Sequence, residues 1–523
     1  MGEAASYYNP GAGTGQPPGD ANYQHQPQHQ PQHQPQHQPQ QYVPQDAAYG
    51  ELNEKQTFEQ AFKVEKPKWN DLWAGILFLI FCGGFVAVSA IALRGYATTR
   101  DIQGGGIYSG TNNFTLNTGT LILFLFVLVV AVVLGYSYVW LARLFPKQFI
   151  WVTGILNICW AIGTAIFYLY RRYWTAGIVF LIFGIFLAFC FWTWISRIPF
   201  SALMLRTAVD VSKKYGHVYL VSLVGGLIAT ALGAYYSITL VAIHDRFQPA
   251  SNNRACNGGS CSHAKVIGLI AFVTFAMYWI SEWLKNTIHT TIAGVYGSWY
   301  FFPHSLPRGA TRGASQRALT TSFGSICFGS LILAIIQFLR HLCSIARNQS
   351  MQEGGIGGAI GYAVFCILGC LIGLLEWLAQ FFNRYAFCHI ALYGKAYIPA
   401  AKDTWKMIKD RGFDALINDC LIGPVLSFGA LFIAYACALL AYLYLLFTDP
   451  AYNTDGKYTP FIVAFSFLIG FQIANVFTTP LSSGIDTIFV AAGWNPQVMY
   501  HEHPELYNEM VQVYPRVQQM IRP

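Results

Sequence analysis

The chain has 523 residues, of which 54% are hydrophobic and only 11% charged, against about 25% charged in a typical soluble domain. So few ions place most of the chain where charge is costly. The net charge of +8 forms no basic stripe with interleaved aromatics, so no nucleic-acid partner is expected, and the excess reads as topology information.

Residues 1–65 are rich in Gln, Pro and His and hold a four-residue repeat that sets His25, His29, His33 and His37 in register. Such a segment has nothing to bury and is expected to be a disordered cytosolic tail. The prolines between the histidines keep a helix from gathering them on one face, so no metal is expected there. Ten apolar runs follow, at 71–93, 118–142, 149–170, 173–195, 218–241, 266–288, 318–339, 357–380, 421–447 and 458–480. Most reach the ~20 residues that cross ~30 Å of hydrocarbon. They predict an all-α, polytopic integral membrane protein with about ten transmembrane helices over residues 66–490. Phe145-Pro146-Lys147 and Arg171-Arg172 read as tight turns between neighbouring spans. Residues 381–418 read as a cytosolic loop with an interfacial helix, and 491–523 as a cytosolic C-terminal tail.

With ten spans and a cytosolic N-terminus, both termini are cytosolic and Lys and Arg concentrate on that side, as the positive-inside rule requires. The two Asn-X-Ser/Thr sites, Asn113 and Asn348, then fall in external loops and are expected to be glycosylated. Cys256 and Cys261 fall on the same side, where a disulfide between them is permitted and expected.

No phosphate-binding Gly-rich loop ending in Lys-Ser/Thr, no His-Glu-x-x-His and no Gly-x-Ser-x-Gly elbow occurs, so neither an enzyme nor a cofactor is expected. Attention passes to ionisable residues in apolar runs, which are functional candidates by default. Glu282 and Glu376 stand out, each followed by a tryptophan, Trp283 and Trp377. Tyr278, Asn286 and His289 share a helical stripe with Glu282. A carboxylate beside aromatic faces is the combination that holds a quaternary ammonium, so Glu282, Trp283, Tyr278, Asn286, Glu376 and Trp377 are the expected binding residues for a small organic cation. The competing reading pairs the two carboxylates with Lys285 and Arg384 near the interface. Asp419 and Asp486, at the ends of predicted spans, read as structural.

Several blocks carry a resemblance. They are Trp279-Ile280-Ser281-Glu282 through Ala293-Gly294-Val295 to Ser298-Trp299-Tyr300-Phe301, and Gly324 to Ser330 with Gln337 and Arg340. Asn383-Arg384-Tyr385-Ala386 with Ile390 to Lys395, and Asp486-Thr487-Ile488-Phe489, complete the set. In order and spacing they resemble the choline transporter-like family, solute carrier family 44, and the Gln- and Pro-rich tail resembles its fungal pH-nine-sensitive branch. The resemblance implies ten spans and transport of choline or a related organic cation across the plasma membrane. Two alternatives stay open: transport of another solute or lipid, and a non-transporting pH-stress scaffold.

Overall fold

The computed structural model describes residues 68–98, 118–247, 249, 261–304, 309–411, 422–448, 450, 453, 459–515 and 517–520. All belong to the second of two units, Glu51–Pro523. The N-terminal histidines, Asn113, Cys256 and Asp419 lie outside the described residues.

Every regular element among the described residues is helical. The chain runs through α1 (Leu72–Thr98), α2 (Thr118–Leu144), α3 (Pro146–Tyr170) and α4 (Trp174–Trp194). It continues through α5 (Ile198–Lys214), α6 (His217–Phe247), α7 (His263–Phe301), α8 (Ala310–Leu319) and α9 (Phe323–Glu353). Then come α10 (Gly355–Tyr393), α11 (Tyr397–Arg411), α12 (Ile422–Thr448) and α13 (Thr459–Trp494), with the short α14 (Pro496–Glu502), α15 (Pro504–Val513) and α16 (Val517–Met520). Among the described residues, ten stretches are long and apolar enough to span a bilayer, the fourth running from α4 into α5. Hydrocarbon offers no partner for a backbone N–H or C=O, so helices that satisfy both internally are the structure such sequences must adopt.

Local chemistry sets the joints. Pro146 opens α3 at a position whose N–H would be unpaired anyway. Arg172, with φ of 61°, closes the turn into α4. Gly394 ends α10 in the left-handed region, φ 62°, where its N–H donates to the Ile390 carbonyl, the C-terminal role glycine fills without steric cost. Here the structure corrects one expectation: residues 381–393 are the continuation of α10, and only α11 is a separate amphipathic helix.

α7 and α10 each have 39 residues and α13 has 36. At 1.5 Å per residue, 39 residues reach about 58 Å, far beyond ~30 Å of hydrocarbon. The extensions are closely buried. Ile292, Ala293, Tyr296 and Tyr300 on α7, Ala386 to Ile390 on α10, and Ile488 to Ala492 on α13 are almost wholly buried. The three helices end together, because Tyr300 Oη donates to the Asn495 carbonyl at 2.9 Å and Tyr393 Oη to Asn495 Oδ1 at 2.6 Å. Gly484 lets α7 and α13 touch: a Cβ there would meet the Tyr296 ring at 2.1 Å. By contrast, large apolar side chains of α4, such as Ile182, Phe186 and Trp192, point outward, as contact with lipid demands. Residues 496–513 are not a loose tail, since Met499, His503 and Met510 are buried against the same core.

Candidate functional site

Polar stripes on α7, α9, α10 and α13 are joined to one another by side-chain contacts. α7 contributes Glu282, Lys285, Asn286 and His289, at spacings that keep them near one face. Glu282 is 6% exposed, and its carboxylate accepts from Lys285 Nζ at 3.1 and 3.2 Å and from Gln337 Nε2 of α9 at 2.8 Å. Glu376 of α10 accepts from Arg340 Nη1 at 2.6 Å and from Gln380 Nε2 at 3.2 Å. Arg384 lies 4.0 Å from the buried Asp486 of α13. Each of these three carboxylates thus has a basic neighbour, the compensation such groups require in an apolar setting.

Between these stripes lies a cavity of about 460 Å³. Its walls include Lys285, Asn286, Trp377, Phe381, Arg384 and Asn475. Trp377 and Phe381 stack with ring centroids 6.0 Å apart and planes at 25°, giving the cavity an aromatic side. Both charged side chains on its walls, Lys285 and Arg384, are cationic, and their carboxylates Glu282 and Asp486 stand behind them. Nε2 of His289 donates to the carbonyl of the cavity-lining Arg384 at 2.9 Å, because a carbonyl can only accept. Ser483 Oγ then donates to Nδ1, also at 2.9 Å. That arrangement satisfies a neutral imidazole and ties α7, α10 and α13 at one level.

The expected binding residues separate. Asn286 and Trp377 line the cavity, although the Asn286 amide also donates to Ser330 Oγ at 2.9 Å. Glu282 and Glu376 reach it only through Lys285 and Gln380. Tyr278 packs edge-on to His341. Trp283 packs against Phe78 of α1 and Phe323 of α9, and its indole N–H has no acceptor among the described residues. Lys285 pairs with Glu282 as the competing reading had it, whereas Glu376 takes Arg340 in place of Arg384. Sequence reasoning missed Gln380, Phe381, Asn475 and Thr479. A usable signal was there: Asn475, Thr478 and Thr479 interrupt an apolar run just before Pro480, and broken, polar segments point to transport sites in membrane bundles. Asn348 is exposed on the final turns of α9, not in a loop, and Ser350 Oγ donates back to the Ala346 carbonyl at 3.0 Å.

Residues 178–497, which hold the cavity, match the family described as plasma-membrane choline transporter. The chain belongs to that family. Protein PNS1 of Gibberella zeae is 72% identical over 470 residues, covering 90% of this chain and 87% of the relative. Protein pns1 of Aspergillus fumigatus is 56% identical over 543 residues, covering 100% and 99%. Protein PNS1 of Saccharomyces cerevisiae is 44% identical over 483 residues, covering 90% and 89%. Membership of the plasma-membrane choline transporter family makes the bundle that of a multi-pass membrane transporter, and the matched segment takes in α5 to α13 with every residue of the cavity wall.

Proposed function

We propose that this protein carries choline or a closely related small organic cation across the plasma membrane, as a gradient-driven transporter and not an enzyme, with both termini cytosolic. The observation that supports it most is the stacked Trp377–Phe381 pair on the wall of the 460 Å³ cavity, within the segment that matches the choline transporter family. A quaternary ammonium has no N–H to donate, so aromatic faces are the surface that attracts it. The electrostatics then depend on the paired cations. A ligand's positive charge is tolerated beside Lys285 and Arg384 only while each stays on its own carboxylate, Glu282 or Asp486. Aligned on its partners, the wall is close to neutral; released from them, it repels the ligand.

Uptake of labelled choline by the purified full-length chain in liposomes tests this. Saturable uptake down an imposed choline gradient is expected, competed by other quaternary ammonium compounds and reduced by Trp377→Ala. Uptake no faster than in protein-free liposomes would overturn the proposal.

A further inference from the structure

The larger cavity has a neighbour. A second one, of about 150 Å³, lies between α6, α7 and α13 and is bounded by Ser222, Gly225, Ser281, Leu284 and Gln472 among others. Lys285, Asn475 and Thr479 belong to the walls of both. On α7, Ser281, Leu284 and Ile288 face the smaller chamber and Asn286 the larger. On α13, Gln472 and Val476 face the smaller, Thr478 and Ser482 the larger. The partition is therefore made of three side chains, all polar.

Helices that seal against each other in a membrane do so with small residues or with polar groups bonded across the contact. This partition does neither. Asn475 and Thr479 are half-buried, and among the described residues neither side chain hydrogen-bonds to the protein. Thr290, Thr291 and Thr487 satisfy their hydroxyls on the carbonyl four residues back, the ordinary recourse of a helical threonine. Thr479 does not. The next residue, Pro480, lies inside α13 and brings no N–H to the Val476 carbonyl, so the helix is weakest at the level of the partition. Beyond Pro480 the helix is held to its neighbours by Ser483 on His289, Asp486 near Arg384 and Gly484 against Tyr296. Before it, Gln472 Nε2 donates to the Gly226 carbonyl of α6 at 3.0 Å. A bend at Pro480 moves these two halves relative to each other and carries Asn475 and Thr479, which share the first half, away from Lys285 of α7.

We propose that Lys285, Asn475 and Thr479 form a gate between two chambers of one permeation path, opened by bending of α13 at Pro480. The species that passes is a small organic cation, which rests on the reading of the larger cavity as the ligand chamber. It crosses while Glu282 holds the Lys285 ammonium aside.

The test uses the full-length chain in liposomes and a small cationic methanethiosulfonate, applied after folding to Thr479→Cys, with modification at position 479 counted by mass spectrometry. Reaction is expected, slowed by choline. Once modified, choline uptake should fall at least about tenfold, and by more than the loss in equilibrium choline binding that a cation added to the cavity wall causes. Failure of position 479 to react, or modification without loss of uptake, overturns the gate. Pro480→Ala restores the missing hydrogen bond and is expected to lower turnover at least about threefold with binding kept; unchanged turnover overturns the hinge. If the parent chain neither binds nor takes up choline, the transport reading fails on its own. The gate is then decided by the reagent alone: labelling of position 479 from the aqueous compartments retains it, and no labelling removes it.

Discussion

Glu282 has two donors, and they respond differently to its loss. Glu282→Gln keeps the shape and leaves a polar group for the Gln337 amide, but the Lys285 ammonium loses its counter-charge. The wall of the larger cavity then carries an additional positive charge facing the ligand. Initial uptake of choline below saturation is expected to fall at least about tenfold, which corresponds to ~1.4 kcal/mol in the loaded state. Adding Lys285→Met to Glu282→Gln removes the stranded charge and should recover part of the rate. Unchanged uptake in the single variant would mean that the pair has no part in loading. Glu282 was legible in the sequence because a carboxylate in an apolar run announces itself. Its pairing with Gln337 was not, since that depends on α9 lying beside α7.

At the scale of elements, two contacts outside the spans govern how helices dock. Asp71, at the head of α1, accepts from Ser325 Oγ at 2.7 Å and from the Tyr397 N–H at 2.8 Å, so a residue of one helix caps the first turn of another. Asp71→Ala leaves both donors short of a partner and is expected to cost about 1–2 kcal/mol, read as a lower thermal unfolding midpoint in detergent. His503, between α14 and α15, donates from Nε2 to the Tyr300 carbonyl at 2.8 Å, stacks on the Tyr300 ring and packs at a tilt against Trp299. Burial pushes its pKa below the ordinary imidazole value, and the charges of His304 and Lys214 push the same way. The depressed value means that the undocked form takes up a proton first. Docking is therefore unaffected well above pH ~6.5 and weakens as pH falls below it, down to the lowered folded value. Proteolysis within residues 496–513 should be faster at pH ~5.5 than at pH ~7.5, and His503→Phe should flatten that difference. A rate independent of pH in the parent chain would show that His503 is not what holds the segment.

For the whole molecule, the proposed orientation predicts glycosylation at Asn348 and a disulfide between Cys256 and Cys261 on the external side. Epitope tags at both termini should be reached by antibody only after permeabilisation, and Asn348→Gln should remove a glycosidase-sensitive mass shift. A terminal tag accessible on intact cells would invert the topology. The sequence by itself determined the class of fold and the number of spans, because sustained apolar runs of about 20 residues have one stable outcome in a bilayer. It also marked Glu282, Glu376 and Trp377 as costly or conspicuous in an apolar setting. Only the tertiary structure decided how far α7, α10 and α13 run past the hydrocarbon and which carboxylate meets which cation. It alone put Trp377 on the cavity wall and Trp283 against Phe78 and Phe323. Hydropathy along a chain reports the cost of leaving water, residue by residue. Which helices become neighbours depends on side-chain fit between segments a hundred or more residues apart, such as His289 with Ser483, and no local pattern carries that information.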